Sequence, residues 1–107
     1  MATFDDREKG FESKFAHDEE VEFKAVARRN RAAGAWAAEL MGLQAPHIEE
    51  YSRAIVRAEL GEDGDEAVIR KIIQDLTASG VKISEGEVRQ KLQELHAQAR
   101  EQVKAGG

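Results

Sequence analysis

The chain has 107 residues, 21 of them acidic and 16 basic, for a formal net charge of −5. That length fits one small domain and leaves no room for a separate cofactor-binding half. No uncharged run approaches the ~18 residues of a membrane span, and the acidic balance argues against wrapping a nucleic acid by neutralising its phosphates.

In chain order, residues 1–20 come first. They hold seven acids, three bases and three of the four phenylalanines, and no Leu, Ile or Val. A segment so poor in large apolar groups does not fold on its own. Helical spacing nonetheless brings Phe4, Phe11 and Phe15 within roughly 40° of one another on one face, while Gly10 costs a helix about 1 kcal/mol. Residues 1–17 therefore read as a flexible acidic arm that orders as a helix against a partner's groove. The competing reading packs the three phenylalanines on the body as its first helix. The first residues also lack the basic and apolar regions of a signal peptide, so export is not expected.

Residues 18–107 read as a single helical body. About residues 18–41 form a long helix with Val26, Ala33, Ala37 and Leu40 on its inner face, flanked by Phe23, Trp36 and Met41, and Gly42 stops it. Pro46 suits the first turn of a second helix carrying Ile48, Tyr51, Ile55 and Val56 and ending near Gly61. Asp63 and Glu66 have the spacing of a capping box for a third helix, with Ile69, Ile72, Ile73 and Leu76 inward and Gly80 as its stop. Ser84 and Glu87 form a second capping box, opening a fourth helix with Val88, Leu92, Leu95, Ala99 and Val103 in register and two glycines after it. Short connections between amphipathic helices make antiparallel neighbours, so the fold class is an all-α four-helix bundle with a flexible acidic arm, monomeric when free.

Little in the chain suggests catalysis. With no cysteine, disulfides, thiolate metal sites and cysteine nucleophiles are excluded. His17, His47 and His96 are far apart in sequence, and the acidic run at residues 62–66 lacks the order of a calcium loop and reads as a solvated, cap-forming turn. The four serines and two threonines sit in no nucleophile or phosphate-binding motif, so neither enzyme activity nor a cofactor is expected. Arg28, Arg29 and Arg31 form a basic cluster with one edge buried. Without a basic stripe or exposed aromatics it reads as ion-pairing, within the body or to an acidic protein, rather than as a nucleic-acid site.

Residues 3–43 closely resemble the zeta subunit family, the inhibitors of bacterial F-type ATP synthase. The resemblance rests on FDDRE (residues 4–8), KFAHD (14–18), FKA (23–25), ARRN (27–30) and GAWAAEL (34–40), and weakens through residues 51–60 and KIIQDL (71–76). It implies a four-helix bundle whose N-terminal segment inserts as a helix between alpha and beta subunits beside the central gamma stalk, blocking rotation in the hydrolytic direction. It also implies a location at the cytoplasmic face of the inner membrane when bound, without insertion into it. Carried onto this sequence, the partner-binding residues would be Phe4, Asp5, Asp6, Arg7, Glu8, Phe11, Lys14 and Phe15. The residues themselves leave a second class open, a helical adaptor that binds some other protein through the body.

Overall fold

Three helices of the bundle are closely followed by a glycine in the left-handed region, Gly42, Gly80 and Gly106. The computed structural model describes residues 2–106, with side chains described from residue 17 onward. It contains α1 (Ala2–Leu40), α2 (His47–Ala58), α3 (Asp65–Ala78) and α4 (Glu85–Lys104), and no strand among the described residues. Gly42 takes a left-handed φ of 81°. The Gly42 N–H then donates to the Glu39 carbonyl and the Leu43 N–H to the Ala38 carbonyl, both at 3.0 Å, the paired bonds of a Schellman stop. Gly80, with φ 82°, repeats the device: its N–H donates to the Thr77 carbonyl at 3.0 Å and the Val81 N–H to the Leu76 carbonyl at 2.9 Å. At the start of α4 the expected capping box is present in both directions between Ser84 and Glu87.

Two local expectations are overturned. The α3 N-cap is Gly64, with no side-chain cap. Asp63 instead accepts from Arg70 at 2.9 Å, and Glu66 accepts the Arg89 fork at 2.8 and 2.9 Å. Cations on α3 and α4 outcompete a local cap because guanidinium bonds to carboxylate are charge-assisted. The second correction concerns α1, which begins at Ala2 rather than near residue 18, so its backbone runs helically through Gly10. The side chains of Phe4, Phe11 and Phe15 lie outside the described residues.

The inner face of α1 is also rotated from the expected one. Val21, Ala25, Ala33, Ala37 and Ala38 are buried, whereas Leu40 is 43% exposed and Val26 only half-buried. Small residues win this face because α1 is the spine of the bundle, packing mainly on α2 and α4. Larger side chains come from the other three helices: Ile55, Val68, Ile69, Ile72, Leu76, Val88 and Leu92 fill the core against Ala33 and Ala37. Trp36 and Leu95 are half-buried around it, and the Lys91 ammonium stands 5.9 Å from the centre of the Trp36 ring.

The backbones of α1 and α2 pack tightly at Gly34. A Cβ there would stand 2.7 Å from the Ser52 Cα, a backbone atom that cannot turn aside. We expect Gly34→Ala to force the two helices apart and to destabilise the bundle by about 1–3 kcal/mol, the usual cost of overpacking. Gly86→Ala, whose Cβ would meet only the Ser84 Oγ at 3.8 Å, should be neutral or slightly stabilising. Urea unfolding followed by helicity compares the two, and equal midpoints would show that the crossing is not tight.

Candidate functional site

Among the described residues of α1, burial begins at a definite point. Residues 17–20 are exposed, and Val21 is the first described residue to be buried. The eight partner-binding candidates, Phe4, Asp5, Asp6, Arg7, Glu8, Phe11, Lys14 and Phe15, all precede that point. Their backbone belongs to α1, so positions 4, 11 and 15 share one helical face by the 3.6-residue repeat. Their side chains lie outside the described residues.

Two turns on from Val21, α1 carries the polar centre of the molecule. Arg29 is only 4% exposed and its neighbour Asn30 is fully buried. The Arg29 guanidinium donates to Glu59 at 3.0 Å and to both oxygens of Asp65, at 2.8 and 3.4 Å. It also reaches His96 Nδ1 at 3.3 Å and the Asn30 side-chain oxygen at 3.0 Å. The Asn30 amide donates to the same Glu59 oxygen at 2.8 Å. On the far side of the imidazole, His96 Nε2 lies 2.7 Å from Glu22, which also accepts from Arg100. One cation thus joins α1 to the end of α2, the start of α3 and the middle of α4. Every buried side-chain polar atom among the described residues has a partner.

The two carboxyls on Arg29 are driven in opposite directions. The Arg29 hydrogen bonds hold Asp65 below the ordinary carboxylate range, against a smaller opposing effect of burial. Burial pushes Glu59 upward, and its contact with Asp65 adds to the push. A buried cation between two carboxylates attracts both, but the acid with less water around it pays the larger desolvation cost.

The basic cluster accordingly dissolves into three separate contacts. Arg28 faces Gln102 on α4 at 3.4 Å, Arg29 is the buried hub, and Arg31 donates to Glu49 on α2 at 2.6 Å. The expectation of one buried edge and ion pairing inside the body matches this arrangement. Sequence reasoning missed the reach of Arg29. The available signal was its place in the series Ala25, Arg29, Ala33, Ala37, a four-residue repeat in which an arginine replaces a small core residue.

Three of the four acids in the run at residues 62–66 are likewise shared among arginines, with Asp63 on Arg70, Asp65 on Arg29 and Glu66 on Arg89. Among the described residues no group of three or more His, Asp or Glu side chains could hold a metal ion. None of the described helices is long and apolar enough to cross a membrane. Tyr51 is tied by its hydroxyl to Asp75 at 2.7 Å, and burial with that bond raises its pKa.

Comparison with known proteins adds what geometry alone does not. A family model described as ATPase inhibitor subunit zeta matches residues 1–102. A solved solution NMR structure is 37% identical, covering 80% of this chain and 98% of its own length, with a TM-score of 0.69. No curated protein matches.

Replacing Arg29 by Met removes the cation and leaves Glu59 and Asp65 facing each other. We expect a loss of about 1–3 kcal/mol near neutral pH, below the usual cost of breaking a buried pair because Asp65 is 56% exposed. The pH dependence has a definite sign. A depressed Asp65 stabilises the fold above its unfolded pKa, and that contribution is lost as pH falls through its folded value. The raised Glu59 acts oppositely and weakens the fold as pH rises through its own folded value. Without Arg29 both carboxyls repel until one is protonated, so the gap between wild type and Arg29→Met should narrow on acidification. Denaturant unfolding at a series of pH values checks this; a gap that widens in acid would refute it.

Proposed function

This chain belongs to the ATPase inhibitor subunit zeta family, and on that premise we propose that residues 1–17 are its inhibitory element. The family is one of inhibitor subunits and not of enzymes, and its partner is the ATP synthase. In the proposed mechanism the arm enters the catalytic sector as a helix where alpha and beta subunits meet beside gamma, and blocks rotation in the hydrolytic direction. The observation that carries this reading is that the family match begins at residue 1 and takes in the whole arm.

Such an inhibitor needs no chemistry of its own. A helix wedged at a moving interface raises the free energy of the next rotary state by the contacts that state would lose. Apolar burial of Phe4, Phe11 and Phe15 supplies the adhesion, about 1.5–3 kcal/mol for each fully buried ring. Asp5, Asp6, Arg7, Glu8 and Lys14 set orientation and register through charge. The continuous α1 backbone supports the helical form of the arm, because a helix already nucleated within the body needs only to propagate.

Hydrolysis of ATP by the catalytic sector, titrated with three versions of the chain, tests the proposal. The full chain should inhibit, and the chain lacking residues 1–17 should not. The triple substitution of Phe4, Phe11 and Phe15 by Ala should weaken inhibition by about tenfold or more, with helicity of the body retained in circular dichroism. Equal inhibition by the full and shortened chains would move the function to the body. Loss of body helicity in the triple variant would mean that the phenylalanines belong to the core.

A further inference from the structure

From Glu19 onward α1 runs toward the end of α2, and the two helices leave a groove between them. Its volume is about 460 Å³ and its apolar lining comes from Phe23, Val26, Ala27, Val56 and Leu60. Phe23 is 74% exposed and Leu60 77%. A single exposed apolar side chain is ordinary on a protein surface. Two large ones on opposite walls of the same groove, above half-buried valines, form a continuous patch of the kind that marks an interaction site.

Charge along the groove is graded. Glu19 and Glu22 line it toward the N-terminal end of α1, and Glu59 stands farther along, beside Arg29 and Asn30. Glu22 and Glu59 are already neutralised by Arg100 and Arg29, whereas Glu19 is exposed and has no ion pair among the described residues. At the other end Val56 is shared with an adjoining hollow of about 250 Å³ lined by Arg31, Arg53 and Arg57. Arg31 and Arg53 share Glu49, which leaves Arg57, exposed and without an ion pair among the described residues. From Glu19 to Arg31 the groove follows α1 for about 18 Å at 1.5 Å per residue, the length of a three-turn helix.

We propose that this α1/α2 groove is a docking site for an amphipathic helix of a partner protein. That helix carries an apolar stripe of about three turns, with a lysine or arginine at the end meeting Glu19 and an acid at the end meeting Arg57. The apolar walls supply adhesion, and the opposed charges fix which way the helix lies. The site is separate from the arm and needs none of the arm's side chains.

The full chain, labelled for NMR, is titrated with a synthetic 15-residue helical peptide. The peptide has leucines at i, i+3, i+4 and i+7, lysines at one end and glutamates at the other. A second peptide keeps the leucines and carries glutamates at both ends. The first should shift the amides around Phe23, Val26, Val56 and Leu60 and bind at least about fivefold more tightly than the second. Phe23→Ser with Leu60→Ser, both at exposed positions, should abolish those shifts with helicity retained, Glu19→Gln should remove the preference between the peptides, and Glu19→Lys should reverse it. Shifts centred elsewhere, no shifts, or equal binding of the two peptides would overturn the proposal. Because the readout contains no ATP synthase, its outcome is independent of whether the arm inhibits.

Discussion

A guanidinium with almost no access to water must find its whole hydration shell in protein, and the bundle is organised around meeting that demand for Arg29. Its bonds to Glu59, Asp65 and His96 reach the end of α2, the start of α3 and the middle of α4. The apolar core is modest and its α1 side is built of alanine, so helix packing alone specifies the register of α1 weakly. A buried charge whose partners sit on three different elements is intolerant of a one-turn slip, since each slip would strand at least one ionised group. The hub contributes specificity more than net stability, in keeping with the near balance between desolvation and attraction in buried ion pairs.

The same demand explains the shape of the loop between α2 and α3. Asp65 is held by Arg29, Glu66 by Arg89 and Asp63 by Arg70. None of these three carboxylates caps α3, and Gly64, with φ 50°, turns the chain into the helix. A side-chain cap stabilises a helix by about 0.5–2 kcal/mol. Here two of the three acids, Asp65 and Glu66, spend their hydrogen-bonding capacity on contacts that connect helices, Asp63 reaches along α3 to Arg70, and no side chain caps the start of α3.

Much of this was legible in the sequence. The four helices, the stops at Gly42 and Gly80 and the Ser84–Glu87 box depend on residues within one turn of each other, and such signals survive without tertiary knowledge. The inner face of α1 was less legible because alanine carries little hydrophobic weight. Val26 and Leu40 drew the expected face toward themselves, while close packing at Gly34 and Ser52 required small residues. The hub was illegible for a related reason: an arginine in an alanine repeat has the same local spacing whether it is buried or solvated, and its partners lie 30 to 67 positions away. Of the candidate site, the sequence supplied the arm and its phenylalanine register, whereas the groove depends on how α1 and α2 pair.

The arm and the body are joined by one helix, and that continuity bears on how a segment so poor in apolar residues could act. Forming the first turn of an isolated helix costs far more than adding a residue to an existing one. From Val21 to Leu40 the body packs or shields one face of α1, so the nucleus is already present, and extension toward residue 2 proceeds by propagation alone. The ordering cost that weakens disordered binding segments then falls mainly on residues near Gly10. On the proposed reading, stiffness matters as much as adhesion: a rod anchored in a folded bundle transmits force at a rotary interface, whereas a tethered coil would yield. The Glu22 pairs with His96 and Arg100 brace that rod on α4 one residue after Val21, and the Arg29 hub braces it on α3 and α4 about two turns farther on.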